Sequence, residues 1–436
     1  MNERRPWAAL WRASAGLGGA LRWARASLCV ALVCAGPVAC APGPVRPPRT
    51  IIRAGRLFDG TLAATREHVR VTIADGIIAA IEPDEDASLV TIADAAVIDA
   101  RDATVLPGLI DVGASLAGEA CRGGLFGVGR VAQALRSRLA AGVTSLVVYG
   151  ASVTRELGLQ SFIDTSRHRG PRIFVGARLL ATVGAAAVEA ARVEVQHVAD
   201  QGAEWAVLHV LDRGATAAGV QSAAPLAAPA DTWLCAAVRE AHEQELRALV
   251  LAENDAATYE AARCRPDGVL LASTAWGEPG ARQRLRDARV PMSLLPPATA
   301  VGALPSPTLL EPSLAPLMLA SGPTACTVAS FDEEPALAVL RTWVEAGVSP
   351  RTALLAATHG SAVALGLDEA LGRLAVGFRA DLIVVAGHPD EDLAALHRVR
   401  LVMVDGVAQR VAPAPWYSSA LAALHVLWSW IKAFGA

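Results

Sequence analysis

The sequence has little lysine and histidine for its length. Lys432 is the one lysine among 436 residues, and the nine histidines are scattered with no His-x-His pair. Charged residues reach only 19% and the net charge is −3, which argues against a nucleic-acid-binding protein and a disordered chain. No Cys-x-x-Cys pair occurs, so a thiolate zinc site is not expected. With 53% hydrophobic residues, this length suits one large α/β barrel with an accessory domain, or two to three ordinary domains.

Residues 1–49 have the pattern of an export leader followed by a Pro-rich linker. Several arginines precede the apolar run 28–35, which is shorter than the roughly 18 residues of a membrane-spanning helix. Val38-Ala39-Cys40 is similar to a bacterial lipoprotein cleavage box, with Cys40 as the lipidated residue, although Pro37 replaces the usual Leu. We expect an exported protein, either periplasmic or a membrane-anchored lipoprotein, and a plain signal peptide is the alternative.

Four cysteines remain outside this leader, namely Cys121, Cys235, Cys264 and Cys326. Export would permit disulfides among them, but their spacing does not reveal which would pair, and buried free thiols are the alternative.

The C-terminal segment 413–436 has the length and apolar content of a helix. It could lie on a membrane surface, since tryptophan suits the lipid–water interface, but we expect it to dock on the body of the protein.

The pattern of hydrophobic residues changes twice along the body of the chain. Short β-strands fill 50–106, with a tight turn at Asp75-Gly76 and separate strands at 97–100 and 103–106. Strands return in 368–412, which predicts a small β-sandwich built from both flanks. Between them, 107–367 contains eight apolar, strand-like runs alternating with helical patterns. Runs of this kind are typical of parallel strands buried on both faces. The predicted fold is therefore an α/β, TIM-type (β/α)8 barrel with a composite β-sandwich domain.

Three stretches resemble the amidohydrolase superfamily, especially its imidazolonepropionase-like and prolidase-like members. They are 98–111, which includes Pro107-Gly108-Leu109-Ile110-Asp111, then 140–145, and the region 356–389 with Ala380-Asp381-Leu382. The resemblance covers roughly residues 50–410. It implies the barrel-plus-sandwich fold and hydrolysis of carbon–nitrogen bonds, although a fold by itself does not fix a function.

The resemblance also implies a site for zinc or manganese at the ends of the barrel strands. Its ligands would be His-x-His on strand one, Lys or Glu on strand four, His on strands five and six, and Asp on strand eight. The matching positions here hold Gly113, Ser115, Val207, Leu251, Leu271 and Thr324. Lys432 lies outside the barrel segment, so a carbamylated lysine is not expected. We therefore predict no metal centre and no cofactor.

Four polar residues could line a pocket at the same strand ends. His209 and Glu253 each lie two residues beyond a ligand position, on the same strand face, and Ser273 and Thr324 follow later strands. A Glu–His pair could perform acid–base chemistry if the side chains reached hydrogen-bonding distance, but ordinary solvated strand ends would show the same spacing.

Three functions remain open from the sequence. The first is a catalytically degenerate, exported member that binds a small molecule or an envelope protein. The second is an active hydrolase of cyclic amides or dipeptide-like substrates with a rewired site. The third is a structural envelope protein that contacts the membrane through a lipid on Cys40 or through its C-terminal helix.

Overall fold

The computed structural model describes most of the region from residue 49 to residue 409. The described ranges are 49–85, 95–116, 127–150, 152–165, 170–182, 188–211, 232–272, 279–295, 317–323 and 334–409. The predictions that fall outside these ranges are those for the leader with Cys40, segment 413–436, Cys121, Cys326, Ser273 and Thr324. No helix in the described ranges is long and apolar enough to cross a membrane.

The described chain folds into two sheets with helices between the strands of the second. Its strands are β1 (Arg49–Leu57), β2 (Arg66–Ala74), β3 (Ile77–Pro83), β4 (Ala95–Pro107), β5 (Leu109–Ser115), β6 (Val143–Gly150), β7 (Arg172–Thr182), β8 (Trp205–Leu211), β9 (Arg247–Ala252), β10 (Gly268–Leu271), β11 (Met292–Leu294), β12 (Gly322–Pro323), β13 (Leu382–Ala386), β14 (Val399–Val404) and β15 (Val407–Gln409). Its α-helices are α1 (Gly127–Ala140), α2 (Val153–Thr165), α3 (Val188–Asp200), α4 (Trp233–Glu243), α5 (Asp255–Cys264), α6 (Pro279–Asp287), α7 (Pro335–Glu345), α8 (Pro350–Leu355) and α9 (Ser361–Leu365).

The two flanking segments form one mixed sheet with the order β15-β14-β13-β4-β1-β2-β3. They meet where β13 pairs antiparallel with β4, while β1 and β4 pair in parallel. Asp75 and Gly76 both adopt positive φ, as the predicted tight turn between β2 and β3 requires. The predicted strands 97–100 and 103–106 are a single strand, β4. The described strands thus form one hydrogen-bonded sheet, where two facing sheets were expected for a sandwich.

The other sheet is a curled, eight-stranded parallel sheet with the order β11-β10-β9-β8-β7-β6-β5-β12. Its first seven strands coincide with predicted apolar runs. The eighth run starts at Leu317, which forms a parallel bridge with Met292 of β11, and β12 then pairs with β5. Most successive strands are joined by a helix, because two parallel neighbours need a long crossover connection from the end of one strand to the start of the next.

Alternation along each parallel strand divides the apolar side chains into two clusters. Ala206, Leu208 and Val210 of β8 belong to an outer cluster shared with the helices. Trp205 and Val207 of the same strand belong to an inner cluster on the concave face of the sheet. Both sets are almost fully buried, which explains why these strands have near-continuous apolar sequences.

Candidate functional site

His209 and Glu253 form a pair at the C-terminal ends of neighbouring strands. His209 follows Trp205 and Val207 on the inner face of β8, and Glu253 follows Leu249 and Leu251 immediately after β9. Their side chains meet with 2.7 Å between His209 Nε2 and Glu253 Oε1. The two residues are 44 positions apart in sequence. The two side chains therefore lie within the hydrogen-bonding distance that acid–base chemistry by this pair requires.

The pair combines a sheltered imidazole with a more accessible carboxylate. The His209 side chain is 12% exposed and that of Glu253 40% exposed. His209 Nδ1 is buried and has no hydrogen-bond partner within the described part of the chain. An ionised carboxylate only accepts hydrogen bonds, so neutral His209 would donate Nε2–H to Glu253 and keep a lone pair on Nδ1. In that tautomer the unpartnered lone pair lies on the buried Nδ1.

Apolar side chains lie beneath this pair where the superfamily would place metal ligands. Val207 and Leu251 are buried in the inner cluster. The ligand position on strand six was placed at Leu271, which belongs to the outer cluster, and its neighbour Leu270 faces inward instead. Alternation along β10 therefore turns Leu270, and not Leu271, towards the inner cluster. The inward residue is still a leucine without a donor atom.

Gly113 occupies the strand-one position at a point where the pairing register between β5 and β6 shifts. A Cβ added to Gly113 would lie 2.9 Å from both Ala320 Cβ and Leu270 Cδ1, two atoms of the inner cluster. A histidine there would displace that packing. Ser115 lies within β5, but nothing is described of its side chain.

The described donor set does not fit a divalent ion. Gly113, Val207 and Leu251 offer no side-chain oxygen, nitrogen or sulfur. Within the described ranges, no group of three or more His, Cys, Asp or Glu residues could hold a metal ion. We therefore assign no catalytic step to a metal.

Tyr149 is a further polar residue in the inner cluster, and no sequence pattern pointed to it. Its hydroxyl is buried and has no hydrogen-bond partner among the described residues. Burial raises the pKa of Tyr149, and the Asp111 carboxylate adds to that rise, so the hydroxyl stays protonated at neutral pH. The alternating pattern of β6 could have identified it as inward-facing, but not as lacking a partner.

A separate buried polar cluster ties β5 to β12. Asp111 accepts hydrogen bonds from the backbone N–H of Ser321 at 3.0 Å and from its hydroxyl at 2.6 Å. Arg138 of α1 contacts Asp111 at 3.2 Å and lies 3.5 Å from Glu334. Burial raises the pKa of Glu334 to about 7, with Arg138 opposing that rise and Asp111 adding to it. This cluster links β5 to α1 and to the segment that leads into β12, and it was not predicted.

One disulfide is present in the described part of the chain. It joins Cys235 of α4 to Cys264, the last residue of α5, over a sequence separation of 29. Sequence spacing had left this pairing open.

Comparisons with known proteins support the resemblance seen in the sequence. Residues 320–408 match the model of the Amidohydrolase family. The fold is similar to a Xaa-Pro dipeptidase with bound methionine (TM-score 0.66, 20% identity, 83% of this chain and 100% of that one). It is also similar to molinate hydrolase (TM-score 0.70, 17% identity, 85% and 97%) and to phenylurea hydrolase B (TM-score 0.67, 16% identity, 84% and 99%). No curated protein matches the chain.

Proposed function

We propose that this chain, whose residues 320–408 match the model of the Amidohydrolase family, hydrolyses carbon–nitrogen bonds without the divalent metal that the resemblance implies. The substrates would be cyclic amides or dipeptide-like molecules, in line with the hydrolases and the dipeptidase whose fold it shares. The observation that carries the proposal is the 2.7 Å contact between His209 and Glu253 at the strand ends.

The chemistry assigns one role to each residue. Glu253 accepts the Nε2–H of His209 and so holds the imidazole with Nδ1 as the base. Nδ1 takes a proton from water as the water oxygen bonds to the substrate carbonyl carbon. When the carbon–nitrogen bond breaks, the imidazolium returns that proton to the leaving nitrogen. Glu253 stabilises the transient imidazolium, and the histidine ends the cycle neutral.

The test is turnover of a panel of cyclic amides and dipeptides by chelator-treated protein. We expect His209→Ala and Glu253→Gln to lower kcat by roughly 10²- to 10⁴-fold, the usual contribution of acid–base catalysis. His242→Ala is the matched control, because His242 also pairs with a carboxylate, Asp267, at 2.9 Å but at the opposite ends of the strands. Equal turnover in all three variants would exclude the pair, and turnover that requires added zinc or manganese would exclude the metal-free site.

Binding without turnover is the second candidate function. It is favoured by the apolar side chains packed at the described ligand positions, including Val207 and Leu251. A protein of this kind would bind members of the same panel and hydrolyse none of them. Calorimetric binding in the absence of any product would support this function over the first.

We further propose that the eight-stranded sheet closes into a complete (β/α)8 barrel. The support is that residues 317–323 bond to both edges of the sheet, at Met292 on one side and at Ala114 and Ser115 on the other. A crystal structure in which this segment leaves either edge would contradict closure.

We also propose that the protein is exported from the cytosol. A disulfide between Cys235 and Cys264 suits an oxidising compartment outside the cytosol. If Cys40 carries a lipid, Cys40→Ser should move the protein from the membrane to the soluble fraction. If the 413–436 segment anchors it instead, only deletion of that segment should do so. A protein that stays soluble in every form would contradict a membrane-associated envelope role.

A further inference from the structure

Two buried carboxylates share one guanidinium beside the strand β12. Arg138 Nη1 lies 3.2 Å from Asp111 Oδ2 and 3.5 Å from Glu334 Oε1. Side-chain exposure is 2% for Arg138, 0% for Asp111 and 7% for Glu334. Among the described residues no other cation pairs with either carboxylate, so the cluster would carry a net negative charge away from water if both were ionised. Such a charge is costly, which favours a folded state in which one carboxyl holds a proton.

Glu334 is the carboxyl that holds the proton. Burial raises the pKa of Glu334 to about 7, with Arg138 opposing that rise and Asp111 adding to it. Its second oxygen, Oε2, accepts the backbone N–H groups of Ala336 at 2.8 Å and Leu337 at 3.3 Å at the start of α7. Those two bonds keep the side chain in place, so a change of protonation acts mainly through Oε1 and Arg138.

The Asp111 carboxylate holds the segment 317–323 against β5, and we call this contact the seam. Ser321 donates its backbone N–H to Asp111 Oδ1 at 3.0 Å and its hydroxyl to Oδ2 at 2.6 Å. The N–H of Val112 donates to the carbonyl oxygen of Leu319 at 2.9 Å. The strand β12 itself has only two residues. The seam therefore depends on Asp111 more than on regular strand pairing.

Arg138 can turn between the two carboxylates. Its Nη1 also donates to Ser321 Oγ at 3.1 Å, so one nitrogen serves both sides of the cluster. Arg138 Nη2 and Glu334 Oε1 are buried and have no hydrogen-bond partner within the described ranges, although buried groups of this kind normally have one. A rotation of the guanidinium that brings Nη2 to Oε1 would satisfy both atoms. It would also draw Arg138 away from Asp111 and Ser321.

We propose that this cluster is a pH-controlled latch on the seam. With Glu334 protonated, Arg138 pairs with Asp111, which holds Ser321 and keeps the seam closed. When Glu334 releases its proton to solvent, its carboxylate draws Arg138 over, Asp111 loses its cation, and segment 317–323 opens more often. The inference does not rest on the proposed hydrolase function.

The sign of the pH dependence follows from which state binds the proton more tightly. The closed seam holds the Glu334 proton up to about pH 7, whereas an open, solvated Glu334 releases it near its ordinary pKa of 4.5. Opening should therefore become more favourable as pH rises from about 4.5 to about 7 and change little above that range.

The test is amide hydrogen exchange of the full chain between about pH 5 and about pH 8, read by mass spectrometry on peptides that cover 317–323. Division by the exchange rate of unstructured peptides of the same sequence gives the opening constant. In the parent chain this constant should rise by up to roughly 40-fold between pH 5 and pH 7. In Glu334→Gln it should stay near its low-pH value, because the amide keeps an acceptor for the N–H groups of α7 and cannot ionise.

Glu345→Gln is the matched control, since it makes the same change at an exposed position of α7 and should keep the parent's pH dependence. A seam that opens equally at every pH in the parent chain would overturn the latch, and that outcome needs no variant. An equal rise in Glu334→Gln would also overturn it. So would opening constants that match those of β8 throughout, because exchange would then require unfolding of the whole body.

Discussion

Removal of the disulfide between Cys235 and Cys264 gives a prediction whose magnitude follows from the structure. The bond joins α4 to the end of α5 and closes a loop with a sequence separation of 29. Both cysteines are only half-buried, so Cys235→Ser and Cys264→Ser should cost little through lost packing. The main effect is that the unfolded chain regains the freedom that the cross-link removes.

The loop length sets the size of this effect. The chain-entropy relation gives about 12 cal/mol/K for such a loop, or about 3.6 kcal/mol at 25 °C. Unfolding entropy near 2.1 cal/mol/K per residue amounts to about 0.6 kcal/mol/K for the 275 residues that the structure describes. The double variant should therefore melt about 6 °C below the parent chain.

Differential scanning calorimetry with and without dithiothreitol is the assay. The parent chain in reductant should melt at the same temperature as the double variant, and the variant should not respond to reductant. Each single variant should match the double one, because either change breaks the bond. A parent chain whose melting temperature is unchanged by full reduction would refute the reasoning, and so would a variant that melts higher.

Three other changes test the packing around β5 and the buried polar cluster next to it. Stability should fall as pH rises from about 4.5 to about 7, since the raised pKa of Glu334 lets the folded state hold a proton that the unfolded chain releases. In the Glu334→Gln variant, the free energy of unfolding should fall less between these two pH values, by up to about 3 kcal/mol. Urea titrations at several pH values measure this, and an unchanged pH dependence would contradict the prediction. Gly113→Ala should cost about 1–3 kcal/mol in the same assay through contact with Leu270, and Leu270→Ala in the same chain should relieve part of that cost; additive effects would argue against the contact. Arg138→Met should lower stability by about 3–5 kcal/mol, because it leaves the Asp111 carboxylate buried without its cation, and a loss below about 1 kcal/mol would show that the ion pair is dispensable.

Much of the fold could be predicted because buried parallel strands need long apolar runs. The first seven strands of the parallel sheet, in chain order, coincide with the predicted runs, whereas the flanking strands form one mixed sheet instead of the two facing sheets of a sandwich. The extent of β4 could not be predicted, because pairing with both β1 and β13 carries one strand through a stretch that looked like two.

The candidate site was only partly predictable. His209 and Glu253 could be proposed from strand alternation, but no local pattern fixes the distance between side chains on different strands. Tyr149 could not be predicted as part of the site, because what sets it apart is the hydrogen-bond partner that its buried hydroxyl lacks within the described structure.

The sequence by itself determined which chemical groups stand at the positions where the resemblance implies metal ligands, because a glycine or a valine lacks donor atoms in any conformation. Only the tertiary structure decided which way those positions face and what they meet. The shift in register near Gly113 turns it towards Leu270, and parallel pairing of β8 with β9 brings His209 to Glu253. These contacts join residues far apart in the chain, so they depend on long-range packing that local propensity does not encode.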